Sequence, residues 1–459
     1  MSAVVDDNVI HALPLAAGDG ARTLVFGPGG PVALDAFLRR ARELAVHLPE
    51  ARHAILLCED RHRFLLGFCA AALRGQAVLL PPSRAPACIA DILARHPGSH
   101  CIDDEAIDAV VPFDAPGPAC EKTVALAENA CAGVRADALA VVGFTSGSTG
   151  TPAAHPKTWA AFRTSTAQNA AALRDLLPTG ETASLVATVP PQHMYGMELS
   201  VLLPLLAGFA VHAGRPFFPH DIVRALHEAP APRLLVTTPI HLRALLDACE
   251  ADPALAPPPL AGIVSATAPL PAALAAAAEA RFCCELREFF GSTETCVIAS
   301  RRTARDEAWT PFPGVRLQPR PGGTEVHAPQ LAAMVVLADL VELDDAGRFL
   351  LRGRDADLLE IAGKRASLGD LTRRLQAIDG VVDGVVFPLE PDPANGVRRL
   401  AALVVAPALD EARILAILRE GIDPVFLPRP LRRVAALPRN ATGKLPRDAL
   451  LAALRDPGA

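Results

Sequence analysis

The sequence predicts an α/β fold, with a large N-terminal domain of parallel and mixed sheets flanked by helices and a separate small C-terminal α+β domain. Two observations carry this. Short β-type runs (AILLCED, AVLLPP, ASLVATVP, RLLVTTP, AGIVSAT) alternate with Ala/Leu-rich stretches of helical length such as AFLRRARELAVHL and FLLGFCAAALRG. Strands that alternate with helices pair in parallel through crossover connections. The second observation is a change of texture. Pro and Gly thicken in PFPGVRLQPRPGG, and the strand-like runs that follow are separated by a turn at Asp344, Asp345, Ala346 and Gly347. From Gly353 a compact pattern follows: a helix near 368–378, the strands VVDGVVF and LAALVVAP, and a last helix in RDALLAAL. The domains are therefore expected at 1–352 and 353–459.

Composition narrows the function. A chain of 459 residues that is 51% hydrophobic and 20% charged is a packed globular protein, and with only 4% aromatics its core is aliphatic. A net charge of −6 with scattered Lys and Arg argues against nucleic acid as a partner. The ten cysteines form no C-x-x-C pair and read as reduced, buried thiols, including the adjacent Cys283 and Cys284. Asp6 and Asp7 stand where a signal peptide would be positively charged, and the apolar run 199–211 is too short to span a bilayer. A cytoplasmic protein without a membrane span is expected.

The stretch FTSGSTGTPAAHPKTW, which begins at Phe144, gives the first chemical signal. Gly147 and Gly150 can take positive φ and turn backbone N–H groups towards one point, while Thr145, Ser146, Ser148 and Thr149 add hydroxyl donors. Such a loop suits a phosphate; a plain Ser/Thr/Gly linker is the alternative. It is not a Walker-type P-loop, because Thr151 and Pro152 follow Gly150 where that pattern needs Lys. The preceding run ALAVVGF reads as a buried strand, and loops leaving such strands are where α/β proteins hold ligands.

Four further stretches follow in order: PPQHMYGMEL at 190–199, REFFGSTET at 287–295, ADL continuing to LLRGRDADLLEIAGKR at 338–365, and LPRNATGKLPRDAL at 437–450. The ordered set resembles the adenylate-forming superfamily of acyl- and aryl-CoA synthetases, peptide-synthetase adenylation domains and luciferases, over most of the chain. The resemblance implies ATP and Mg²⁺ as cofactors and two half-reactions: a carboxylate attacks the α-phosphorus of ATP, then a thiol displaces AMP from the acyl-adenylate. It places Thr293 at a phosphate and Glu294 on Mg²⁺. Asp339 falls on the ribose hydroxyls, Arg354 near ribose and phosphate, and Arg365 near a phosphate. Lys444 falls between the substrate carboxylate and the α-phosphate.

Ala266, Thr267, Ala268, Phe290, Gly291 and Ser292 are expected to border the nucleotide. His193, Tyr195 and Gly196 are expected at the acid, together with the stretch 265–269; His193 is otherwise a helix-start histidine. Gly363 matches the position beside the pantetheine tunnel, and Ala356 the hinge about which the small domain turns.

Departures are equally visible. The family loop reads T-G-x-P-K, whereas Ala153 stands at that lysine and the next lysine is Lys157, behind His155 and Pro156. The hinge position carries Ala356 between Asp355 and Asp357. The chain is also shorter than most members, which suggests trimmed N-terminal elements. The variant loop is similar to that of stand-alone ligases of aryl-polyene and related pigment pathways. It implies an aromatic acid loaded onto the phosphopantetheine of an acyl carrier protein, or onto CoA. A free CoA ligase for an aromatic or medium-chain acid, and a catalytically silent nucleotide-binding partner, are the alternatives.

Overall fold

A computed structural model describes residues 12–81, 84–111, 133–145, 153–354, 358–361, 364–390, 399–440 and 443–455. The chain divides into two compact units: residues 1–306 with 312–314 and 328–332, and residues 307–311, 315–327 and 333–459.

In the first unit, apolar runs become strands buried along their whole length, as in Ala77–Leu80, Ser184–Ala187 and Gly262–Ser265. That is the signature of parallel strands covered on both faces. One sheet has the order Ser99–Ile102, His53–Leu56, Ala77–Leu80, Leu139–Thr145, Ala153–Thr158. Its first three pairings are parallel, and the last is antiparallel. The expectation of a loop through TPAAHPKTW is corrected here: residues 153–158 form a strand because they return along Leu139–Thr145. Pro156 sits within it, on the last strand of the sheet.

A second sheet runs Cys296–Arg301, Glu285–Ser292, Gly262–Ser265, Arg233–Thr237, Ser184–Ala187, Ala210–His212, Thr23–Phe26, Val32–Ala33. From Ser184–Ala187 the chain first winds to one neighbour, Ala210–His212, and then crosses to the other, Arg233–Thr237. This reversal opens a crevice at the carboxyl ends of those strands.

Helices Pro219–Glu228, Pro239–Ala251 and Ala272–Phe282 close this sheet with a core in which Leu226, Leu235, Leu242, Leu245 and Ile263 are fully buried. Truncating one of these to Ala costs about 2–5 kcal/mol. Cys58, Cys69, Cys249 and Cys296 are buried as read, but Cys101 and Cys283 are exposed, Cys283 because it ends a helix in the left-handed conformation.

The second unit carries the hairpin Asp339–Leu343 with Phe349–Arg354, turned at Gly347 with φ 76°. It also holds a sheet of Asp383–Pro388, Leu400–Val405 and Leu431–Arg433, packed under helices Leu368–Gln376 and Glu411–Gly421 through Leu371, Leu375, Val404, Ile414 and Leu418. The turn, the helix from 368 and both strands lie where the sequence puts them. Among the described residues no helix is long and apolar enough to cross a membrane.

Candidate functional site

The tip between Glu285–Ser292 and Cys296–Arg301 is a tight antiparallel turn. Side chains lock it: the Ser292 N–H donates to Thr295 Oγ1 and the Thr295 N–H to Ser292 Oγ, both at 3.2 Å. Cys296 takes φ 62° to close the turn. At Gly291 an added Cβ would lie 2.3 Å from the Cys296 carbonyl oxygen, so only glycine fits the bulge there. Thr293 and Glu294 are thereby held out at the tip.

Leu139–Thr145 comes to the same place. A Cβ on Gly143 would stand 2.6 Å from the Thr293 methyl and 3.1 Å from Met194 Cε, so the strand, the tip and the PPQHMYG segment adjoin. Thr145 Oγ1 lies 3.0 Å from His155 Nε2, which lies 3.6 Å from Glu294 Oε1. Burial lowers the His155 pKa, with Lys157 adding to the effect and Glu294 opposing it. The imidazole is therefore neutral at pH 7.

His193 starts the helix Met194–Met197, its Nδ1 accepting the Tyr195 N–H at 3.3 Å. Tyr195 is buried, and its hydroxyl donates to the Val264 carbonyl at 3.0 Å. That bond ties PPQHMYG to the strand leading into Ala266, Thr267 and Ala268. Gly196 admits no side chain, because a Cβ would fall 2.0 Å from the Pro190 carbonyl oxygen. Thr267 has φ 81°, an outlier for a β-branched residue of the sort that collects at ligand sites. Phe289 is buried edge-on against Phe312, leaving Phe290 half-buried beside it.

Two groups escaped the sequence reading, and in a third the sequence marked only Lys157, without a role. Arg61 is fully buried and donates to four carbonyls: Gly214 at 2.6 Å, Val189 at 2.8 Å, Ala187 at 2.9 Å and His212 at 3.2 Å. It fixes the strand end from which residues 190–196 depart. Beside that end, Thr188 Oγ1 meets Thr237 Oγ1 at 3.1 Å, and His241 Nδ1 joins Thr188 at 3.3 Å and Thr238 at 2.8 Å.

The third group is Lys157 with Glu198. Lys157 is 5% exposed, and its ammonium donates to the Glu294 carbonyl rather than reaching out to the loop. Glu198, fully buried where the helix widens into a π-type turn, accepts from Ser165 Oγ at 2.5 Å, Asn169 Nδ2 at 3.1 Å and the Val297 N–H at 3.0 Å. Its signal in the sequence was one acid inside the apolar run MYGMELSVLLPLL.

The second unit places Asp339 directly opposite Arg354 in the antiparallel register, and Arg365 opposite Glu360. Thr324 Oγ1 donates to the Asp339 carbonyl at 2.6 Å. Lys444 follows a turn clasped by Asn440: the Lys444 N–H donates to Asn440 Oδ1 at 2.9 Å and the Asn440 N–H to the Lys444 carbonyl at 2.8 Å. Gly443 takes φ 79° there, and Arg439, paired to Asp383 at 2.9 Å, donates to the Gly443 carbonyl. The Lys444 side chain is exposed. Ser146, Gly147, Ser148, Thr149, Gly150, Ala356 and Gly363 lie outside the described residues, as do the side chains of Arg354 and Arg365.

The model of a family described as AMP-binding enzyme matches residues 37–353. The 4-coumarate–CoA ligase of Rhodobacter capsulatus is 34% identical over 316 residues, which are 68% of this chain and 76% of that protein. That of Halorhodospira halophila is 31% identical over 320 residues, covering 66% and 73%. Among solved structures, ATP-bound MatB from Rhodopseudomonas palustris superposes with a TM-score of 0.74 at 20% identity, covering 96% and 97% of the two chains. An anthranilate CoA ligase, AuaEII, in complex with anthranoyl-AMP gives 0.73 at 18%, covering 96% and 98%. At those identities the likeness is one of fold.

Proposed function

Since the chain belongs to the AMP-binding, adenylate-forming enzymes and is an AMP-forming acid–thiol ligase, we propose that it activates an aromatic carboxylic acid and passes it to a phosphopantetheine thiol, that of CoA or of an acyl carrier protein. ATP and CoA are the substrates the family implies. The observation that carries the assignment of the site is the convergence of Thr145, His155, Thr293 and Glu294 in the first unit. The names of the two relatives, both 4-coumarate–CoA ligases, favour an aryl acid.

The residues fit Mg²⁺. The Glu294 side chain is 29% exposed, and the imidazole near it is neutral, so its charge is available. Among the described residues no group of three or more His, Cys, Asp or Glu could cage a metal alone. One carboxylate with phosphate oxygens and waters is how Mg²⁺ is commonly held. When bound, the ion would neutralise phosphate charge.

Thr145, Thr293 and the hydroxyl-Gly loop 145–150 donate to the phosphates. Asp339 accepts from the ribose hydroxyls, with Arg354 and Arg365 as further cations. Lys444 serves the attacking carboxylate and the α-phosphate, offsetting charge where two anions meet. The carboxylate oxygen forms a bond to the α-phosphorus as pyrophosphate leaves. The thiol then bonds to the acyl carbon and AMP departs, with Gly363 beside the entering pantetheine. The small domain, 353–459, turning about Ala356, serves the two steps in succession.

The test is pyrophosphate release with a panel of aromatic and medium-chain acids, followed by thioester formation with CoA and with holo carrier protein. Release with aromatic acids and a thioester to either thiol is expected, and the acceptor used faster names the physiological one. No release with any acid would overturn the proposal.

A further inference from the structure

We propose that Lys157 and Glu198 form a buried charged support that sets the tip bearing Thr293 and Glu294, so that a lysine missing from the rim of the phosphate loop acts from beneath the site instead. The inference rests on Glu294 serving Mg²⁺ and goes on to say what holds Glu294 in place.

In the strand Ala153–Thr158, residues 153, 155 and 157 share one face, because side chains alternate along a strand. Along that face burial deepens from exposed Ala153 through half-buried His155 to Lys157 at 5%. At a rise of about 3.4 Å per residue the ammonium's anchor point has moved about 14 Å along the strand, from the loop mouth into the core. There its hydrogen bond goes to the backbone of Glu294, the residue whose carboxylate is assigned to the metal.

A buried ammonium is costly unless charge and hydrogen bonds compensate it. Glu198 supplies the charge: Lys157 acts on it electrostatically, counteracting the rise in pKa that burial imposes on the carboxyl. The three hydrogen bonds that Glu198 accepts likewise favour its ionised form against burial. One of them is the Val297 N–H, on the strand that leaves the same turn. The backbone of the tip is thus held at the Glu294 carbonyl by Lys157, at the Thr295 carbonyl by Gln330 Nε2 at 3.1 Å, and at the Val297 N–H by Glu198. A pure core would fill this space with aliphatic side chains. Two charges that hold the turn at its tip and on the strand leaving it instead fix where its carboxylate points.

Both are positioning residues, and groups that orient a metal ligand typically contribute about 10–100-fold in metal affinity. The experiment is calorimetric titration of ATP into the whole protein with and without MgCl₂, which needs no acid substrate. In the parent, Mg²⁺ should tighten ATP binding. In Lys157→Met that gain should shrink at least about tenfold while the affinity for metal-free ATP stays unchanged, a split that general loosening would not produce. Lys157→Met/Glu198→Gln should recover thermal stability lost in Lys157→Met, since no lone charge remains buried, yet should not recover the Mg²⁺ gain. It carries the same measurement if the single variant does not fold. Glu294→Ala separates the two readings. If it abolishes the gain while both Lys157 variants keep it, the support is refuted and the metal assignment stands; if it too keeps the gain, the metal assignment itself has failed.

Discussion

Replacing Arg61 with Met keeps the stem of the side chain and deletes the guanidinium. The four carbonyls it serves, at Ala187, Val189, His212 and Gly214, then lose their donor, the first three at buried residues and the last at a half-buried one. Each buried acceptor left unmade costs about 1–3 kcal/mol, so the three buried ones give a gross loss of roughly 3–9 kcal/mol. Relief of the guanidinium's own desolvation offsets part of it; burial is what pushes its pKa down to about 9, which still leaves it charged at neutral pH.

A net destabilisation of about 3–5 kcal/mol is expected, in the range seen when one side of a buried charged network is removed. Trp159 lies in the first unit and Trp309 in the second, so urea unfolding of single-Trp forms reads the units separately. The Trp159 transition should move and the Trp309 transition should not. Val189 leads directly into residues 190–196, so KM for the acid should also rise in the folded fraction. A shift below about 1 kcal/mol in the Trp159 transition would refute the reasoning that these four bonds hold the strand end.

Lys444→Ala should lose pyrophosphate release by orders of magnitude yet transfer the acyl group from a synthetic acyl-adenylate at close to the parent rate; equal loss in both steps by a folded variant would remove its assigned role. Gly363→Leu should do the reverse, sparing adenylation and blocking thioester formation. Stability should also fall in acid. Burial, with Arg215 adding to it, holds His241 at about 4, below an unfolded value of about 6.5, so unfolding takes up a proton between those pH values. Stability from this group is complete above pH 6.5 and is lost as pH falls towards 4, about 2 kcal/mol between pH 7.5 and pH 5. His241→Asn should flatten the dependence of the urea midpoint on pH by that amount.

Strands such as Ser184–Ala187 and Gly262–Ser265 were legible because full burial leaves an unbroken apolar run, and helices such as Leu368–Gln376 because of their spacing. The strand Ala153–Thr158 was not: Ala-Ala-His-Pro-Lys has little strand propensity, and only pairing with Leu139–Thr145 makes it one. The same distinction holds in the site. Thr293, Glu294 and Lys444 stood out because each lies in a local motif. Arg61 and Glu198 did not, and Lys157 stood out only as a displaced lysine without a role, because burial of a charge is decided by partners distant in sequence: Ala187 and Gly214 for Arg61, Glu294 for Lys157, Val297 for Glu198.

Pro156 has a consequence for how the protein survives its own synthesis. Among the described residues the strand that bears it ends a sheet, and a terminal strand offers its outward N–H and C=O groups to any other extended chain. Proline lacks one of those donors and is tolerated in strands only where that donor would point outward, so it spoils the template at its middle. Replacing Pro156 by Val would leave the interior untouched and make the outer rim of the sheet adhesive. The damage would appear as self-association of newly made chains at high concentration, long before any change in turnover.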